Sequence, residues 1–216
     1  MTSSPTAAAP PTKRARRTQE RTEVARSNLI QAATPLFAEQ GFDAISVREI
    51  EIAADVKRGM LAYHFGDKES LWKEVANTCF EKLNTELNHR FELFKDVSSR
   101  ERLALIIRFH VRFYDQHPEL SRLMSQEARQ DSWRIRYLVE HHLKPNVQAL
   151  KDNVTETLTL SEREFVHWYY IMVSGSATIF SFAPECQLLF GVDPHEEGVV
   201  EAHAKMMVAM LLGPDK

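Results

Sequence analysis

No glycine lies between Gly66 and Gly175, and only Pro118 and Pro145 interrupt that span. A many-stranded sandwich or barrel needs frequent turns, and turns draw on Gly, Pro, Asn and Asp. Long helices need none of these until they end. The span therefore predicts an all-α fold of about nine helices. At 216 residues and 44% hydrophobic side chains, the chain has material for one core or two small ones. Cys79 and Cys186 form no CxxC pair, which points to a reducing, cytoplasmic setting.

Charge is unevenly spread. Met1–Lys73 carries a net +2 and the remainder −5, and Lys13–Arg26 alone holds six basic residues against two acidic ones. A cationic front and an acidic back suggest that only the front meets a polyanion. Met1–Thr12 reads as a flexible Ser/Thr/Pro/Ala tail with no signal-peptide core. Phe165–Ala183 has 19 residues without Asp, Glu, Lys or Arg, but it contains His167 and several hydroxyls and lacks flanking Lys/Arg clusters. It is expected to be a buried helix, not a membrane span.

Helical spacing predicts a first helix from Thr22 to Gln40, closed by Gly41, with Pro35 expected to kink it. Ser46-Val47-Arg48-Glu49 is a capping box that opens a short helix to Ala54. Asp55-Val56 makes a tight turn, since Asp tolerates the left-handed conformation. A second short helix follows over Lys57–His64, and a longer one begins near Asp67. Further helices are expected from Ser99 to Gln116, from Pro118 to Gln130, and over Ser132–Leu158 with a kink at Pro145. Ser161-Glu162-Arg163-Glu164 is a second capping box. Ala183–Val192 reads as a loop with room for one short turn, and Asp193-Pro194 as the start of a last helix to Leu212.

Two short helices joined by a tight turn behind a basic segment make a helix-turn-helix, whose second helix enters the major groove of DNA. Val56, Leu61 and Phe65 are its apolar anchors. That leaves Lys57, Arg58, Met60, Ala62, Tyr63 and His64 to face outward, with Gly59 allowing close backbone approach. Ser46 and Val47 at the first helix start, and Lys68 at the next, complete the DNA-facing set. The Lys13–Arg17 arm can enter the minor groove or remain a solvated tail.

Residues from about Glu23 to Phe80 resemble the DNA-binding domain of the TetR family of transcriptional regulators. The resemblance rests on Ala32-Ala33 with Leu36-Phe37, Gly41-Phe42, Ser46-Val47-Arg48-Glu49-Ile50, Ala54 with Val56, and Gly59 with Tyr63-His64-Phe65, Lys68-Glu69 and Leu71. It implies a homodimer on a near-palindromic DNA operator and a helical C-terminal domain that binds a small-molecule effector. It implies the division 1–21 basic tail, 22–82 DNA-binding domain with its motif at 46–65, and 83–216 ligand-binding and dimerisation domain. The sequence departs from the family pattern at Asp55 in place of the turn Gly, Lys57 in place of a small N-cap, Glu51 in place of a small residue, and Ala62 in place of an aromatic.

The expected function is a repressor released by an apolar or amphipathic effector. A constitutive DNA-binding protein without effector and an activator are the alternatives. No nucleophile with its base, P-loop or glycine-rich dinucleotide motif is present, so no catalytic residue, cofactor or metal site is assigned. His141-His142 are adjacent and point apart on a helix. Phe109, His110, Phe113, Met124, Trp133, Tyr137, His141, Trp168, Met172 and Phe182 are candidates for a ligand pocket, or for ordinary core. Val166, Tyr170, Val173, Ala177 and Phe180 form one helical stripe, and Val200, Ala204, Met207 and Leu211 another. Both are expected at a two-fold dimer seam burying more than roughly 2,000 Å².

Overall fold

The computed structural model describes residues 13–93 and 96–213. Among these residues the chain is all-α, without a strand. Its helices are α1 (Lys13–Gln40), α2 (Val47–Ala53), α3 (Met60–Phe65), α4 (Lys68–Leu93), α5 (Ser99–Gln116), α6 (Pro118–Glu127), α7 (Trp133–Leu138), α8 (Lys144–Thr155), α9 (Glu162–Ser181), α10 (Ala183–Phe190) and α11 (Glu197–Leu212). A π-helical turn, Val139–Leu143, joins α7 to α8.

Local chemistry explains most boundaries. Ser46 and Ser161 accept the amides of Glu49 and Glu164, whose side chains reach back to the cap residues. The same box forms at Ser98 and Glu101, one residue before the expected cap. Asp67 Oδ1 accepts the Ser70 amide at 2.7 Å and opens α4. Asp55 sits at φ 51°, the only non-glycine with positive φ among the described residues, and closes the α2–α3 turn as expected.

Other boundaries differ from expectation. α1 begins at Lys13, so the segment to Arg21 is helical; Met1–Thr12 lies outside the described residues. α1 runs through Pro35 without a break. Ala183–Phe190 is a helix, with Pro184 in its first turn and Gly191 ending it at φ 67°. Asp193 caps only a turn, through its Oδ1 and the His195 amide at 2.9 Å, and α11 starts four residues later. In the Ser132–Leu158 segment the irregularity is the π turn just ahead of Pro145. Proline has no amide to close the regular ladder there, and the extra residue is wound in before it.

The buried residues form one continuous cluster from Leu29 to Leu212. α1, α2, α3 and the first half of α4 pack around Leu29, Phe37, Ile50, Leu61 and Trp72. α5, α9 and α11 pack side by side behind them, and α6 bridges α1 to α9. The expected boundary at 82/83 falls inside the unbroken α4. Among the described residues no helix is long and apolar enough to cross a membrane.

The helical stripes expected at a dimer seam are mostly consumed within the protomer. Ala177, Phe180, Val200, Ala204, Met207 and Leu211 are buried against their own chain, and Val173 is half-buried. The small Ser174–Ala177 run does admit a close helix, but that helix is α11 of the same chain. A Cβ on Gly175 would lie 2.7 Å from Met207 Cε, and His203 Nε2 lies 2.8 Å from the Gly175 carbonyl oxygen. Only Val166 and Tyr170 of the two stripes are exposed. Ala204→Arg therefore places a charge inside the protomer. It should lower the unfolding free energy by about 3–5 kcal/mol in urea titration, as an uncompensated buried charge does. A variant of unchanged urea midpoint would contradict this packing.

Candidate nucleic-acid interface

The α2–α3 unit presents one exposed edge. Lys57, Arg58 and Gly59 form the turn leading into α3, and all three are exposed, as are Ser46, Val47 and Ala62. Tyr63 stands 72% exposed with its ring edge-on to His64 at 5.0 Å. Gly59 holds φ +90° with no atom within 4 Å of where a Cβ would sit, so conformation and open access both favour glycine. The helix thus begins at Met60, not at Lys57, and Lys57 and Arg58 project from the turn before it.

Of the residues expected to face DNA, Met60 and Lys68 are engaged elsewhere and His64 is partly withdrawn from solvent. Met60 is half-buried and packs against the core. His64 is half-buried, and its Nε2 has no partner among the described residues. Lys68 donates to the Ile45 carbonyl and lies 4.3 Å from the Phe42 ring centroid. Burial lowers its ammonium pKa, as expected for a cation turned inward. Lys68 thus ties the α1–α2 loop to α4.

Reading for exposed basic residues misses Glu51. It is only 2% exposed, yet its Oε1 accepts the Gly59 amide at 2.7 Å and the Leu61 amide at 3.2 Å. The signal in the sequence was an acidic residue where a small one is usual.

Behind this edge lies a cavity of about 570 Å³. α4 contributes Phe80, Leu83, Asn84, Leu87 and Asn88; α5 contributes Ile106, His110 and Tyr114; α6 contributes Leu120, Ser121 and Met124. Ile135, Val139, Leu143, Asn146 and Val147 close it from the α7–α8 side, and α9 supplies Tyr169, Tyr170, Met172 and Thr178, with Phe182 following. None of the lining residues is Asp, Glu, Lys or Arg.

Of the candidates for a pocket, His110, Met124, Met172 and Phe182 line this cavity. Phe109, Phe113 and Trp168 do not. The two phenylalanines are buried core, and Trp168 Nε1 donates to the Leu211 carbonyl at 3.2 Å, joining α9 to α11. Trp133, Tyr137 and His141 are also outside the cavity wall. Trp133 instead packs edge-on against Trp72 at 5.2 Å and Phe42 at 5.6 Å, and Tyr137 lies on Trp72 and His141. Arg134, beside them, bonds buried Glu127 at 2.6 Å and Asp43 at 3.2 Å. The asparagines of the cavity, and Asn77 behind it, carried no distinguishing spacing in the sequence.

His110 lines the cavity, and His142 stacks on the lining residue Phe80. His110 Nδ1 donates to the Ile106 carbonyl at 2.8 Å, since a carbonyl only accepts, which leaves Nε2 as an acceptor. Burial lowers its pKa below 6.5. His142 stacks on Phe80 at 4.5 Å, and its Nε2 shares the Asn77 Oδ1 with the Tyr137 hydroxyl, at 2.9 and 2.8 Å. Burial, then the neighbouring His141, lower its pKa too. Both folded-state values lie below the ordinary value, so the unfolded chain binds protons first as pH falls. Their contribution is constant above about pH 6.5 and turns destabilising below it. The capping carboxylates Glu49, Glu101 and Glu164, held below 4.5 by their serine hydrogen bonds, act at lower pH. Thermal midpoints should be level above about pH 7 and fall towards about pH 5, with a shallower fall in His110→Asn. An identical slope in that variant would remove His110 from the account.

The comparisons with known proteins converge on the same element. Residues 29–75 match the family of bacterial regulatory proteins, tetR family. A probable HTH-type transcriptional regulator of Bacillus subtilis, YttP, is 27% identical over 118 residues, covering 55% of this chain and 57% of that protein. IcaR of Staphylococcus aureus, a negative transcriptional regulator of the biofilm operon icaADBC, is 32% identical over 59 residues, covering 27% of this chain and 32% of that protein. The matches thus span between about a third and just over half the length of these relatives. Among solved structures, FadR from Bacillus subtilis with stearoyl-CoA superposes at TM-score 0.65, with 17% identity over 88% of this chain and 99% of that one. AibR with isovaleryl coenzyme A and operator DNA superposes at TM-score 0.69, with 17% identity over 88% of this chain and all of that one. The family match covers the end of α1, both helices of the motif and the start of α4, and the chain carries the helix-turn-helix domain of the TetR family of bacterial regulators.

Proposed function

We propose that this chain is a sequence-specific DNA-binding transcriptional regulator of the cytoplasm. It acts as a homodimeric repressor that a small uncharged amphipathic molecule releases from its operator. The observation that carries the reading is the double duty of the segment from Pro118 to Leu143. One side of it lines the cavity through Leu120, Met124, Ile135, Val139 and Leu143. The other side grips the DNA-binding unit through Gln126 on the Glu39 carbonyl, Arg134 on Asp43, and Trp133 between Trp72 and Phe42. A molecule that prefers one arrangement of this segment biases the placement of α3, which is what a population shift requires. The cavity favours this reading over a constitutive DNA-binding protein. IcaR, named as a negative regulator, supports repression over activation.

The lining sets the class of effector. AibR and FadR were each solved with an acyl-coenzyme A. A coenzyme A moiety carries several phosphate charges that need cationic partners. This cavity offers none: its polar groups are asparagines, serines, Thr178, tyrosines and His110, set among aliphatic, methionine and phenylalanine side chains. It suits an alkyl or ring system with one or two neutral polar groups.

Assembly follows from the faces left uncovered. Val166, Tyr170 and Ile171 on α9, and Met206 and Met210 on α11, are large, apolar and exposed on adjacent helices. A second copy is the occupant that a two-fold operator requires. Met206→Arg should give a folded monomer in sedimentation analysis, with unaltered helix content and weakened operator binding. A dimeric Met206→Arg variant would move the seam elsewhere.

The DNA reading is tested by selecting duplexes from a random-sequence pool with the full chain. Arg58→Ala should weaken binding to the selected duplex by about 1–3 kcal/mol and relax the base preference at one position per half-site. A medium-chain alkyl lactone or ester should raise the thermal midpoint and displace the duplex, and acetyl-coenzyme A should do neither. Failure to enrich any duplex would overturn the assignment.

A further inference from the structure

We infer that Glu51 is the positioning residue of the recognition helix: a buried acidic side chain on α2 that fixes where α3 begins and how it is aimed. The inference rests on the DNA-binding reading of the α2–α3 unit.

In this six-residue helix half of the amides, those of Met60, Leu61 and Ala62, precede the first helical bond, which Tyr63 makes to the Gly59 carbonyl at 3.0 Å. A Ser, Thr, Asp or Asn at the N-cap ordinarily accepts one of them. Here the N-cap is Gly59, which has no side chain, and Lys57 and Arg58 before it offer only donors. The Met60 amide turns back to the Lys57 carbonyl at 3.2 Å. The Gly59 and Leu61 amides are taken by one oxygen of Glu51, which lies eight and ten residues earlier on another helix. The Glu51 backbone carbonyl also accepts the Val56 amide at 3.0 Å, so the same residue holds both the turn and the helix after it.

The geometry goes beyond ordinary capping. A cap from the adjacent residue leaves a helix free to pivot, whereas a cap from α2 ties the start of α3 to the supporting helix. It holds Gly59 at φ +90° and so sets the direction in which Arg58, Ala62 and Tyr63 leave the surface. Base readout demands placement within a fraction of an ångström. The second oxygen of Glu51 lies 3.8 Å from Arg48 Nη1, and Arg48 is half open to solvent. The acidic group is thus turned inward and faced by a cation, which limits its repulsion of phosphate.

Glu51→Ala and Glu51→Gln in the full chain test this, against the duplex selected by the wild type and against poly(dI-dC). Glu51→Ala should lower affinity for the selected duplex about tenfold, within the range of a lost N-cap, and leave poly(dI-dC) affinity unchanged. Amide exchange at Gly59 and Leu61 should accelerate in Glu51→Ala, with α1 and α4 still protected. Glu51→Gln keeps an amide oxygen for both donors and should restore duplex affinity and protection. Unchanged exchange at Leu61, or unchanged affinity for the selected duplex, overturns the inference, and so does an equal loss on both DNAs with protection lost throughout. A wild type that selects no duplex overturns the DNA-binding reading, and the inference with it.

Discussion

Trp133 is the contact on which the arrangement of this molecule turns. Its ring stands edge-on between Trp72, fully buried at the start of α4, and Phe42 in the loop after α1. Offset and edge-on aromatic pairs contribute about 0.5–1.5 kcal/mol each beyond the area they bury. Two such pairs on one ring fix α7 against the DNA-binding unit. Lys73, 5.3 Å above the same ring, and Arg134, at 5.7 Å, add cations to its faces. α7 is only six residues long and would not hold its place by propensity. Its position is borrowed from Trp72, and the cavity wall that α7 and the π turn after it supply, Ile135, Val139 and Leu143, inherits that position.

What could be read in the sequence divides by the range of the interaction involved. The boxes at Ser46 and Ser161 close within four residues, so their helices start where spacing places them. Asp55 was legible for the same reason, because left-handed tolerance belongs to the residue itself. The start of α3 was not, since its cap comes from Glu51 on a different helix and no local rule points to it. α10 was not either: Leu188, Leu189 and Phe190 are exposed side by side, and such a run has no amphipathic period to detect.

The candidate sites show a second limit. Periodicity says that a face is covered but not by what. Val200, Ala204 and Met207 repeat as a dimer stripe would, yet α5 and α9 of the same chain cover them. Aromatic residues are ambiguous in the same way. Trp133 and Tyr137 have the composition of a ligand cage and serve as the joint between two parts of the molecule. Asn84, Asn88 and Asn146 are polar groups set into the cavity, and as single asparagines on helices they gave no signal. The resemblance to a family supplied the DNA-binding element through a dense local motif. It had nothing as specific to offer beyond Phe80.

The polar contacts at this joint divide by strength. Coupling between two sites is typically about 1–3 kcal/mol, so the contacts that an effector breaks must be of that size or less. Arg134 is divided along this line. Its bond to Glu127, with both side chains largely buried, would cost about 3–5 kcal/mol to break by removal of one partner. Its bond to Asp43 reaches a side chain that is 82% exposed, and such pairs are worth about 0–1 kcal/mol. Gln126 on the Glu39 carbonyl is likewise an exposed hydrogen bond, worth about 1 kcal/mol net. The strong ion pair is therefore internal to the segment that lines the cavity, and the polar bonds that cross to the DNA-binding unit are weak, which leaves the Trp133 ring contacts as the main tie between them. Moving that segment as a body, with Glu127 and Arg134 still paired, would release Asp43 and Glu39 at small cost, and the edge-on contacts of Trp133 with Trp72 and Phe42 would be the larger resistance.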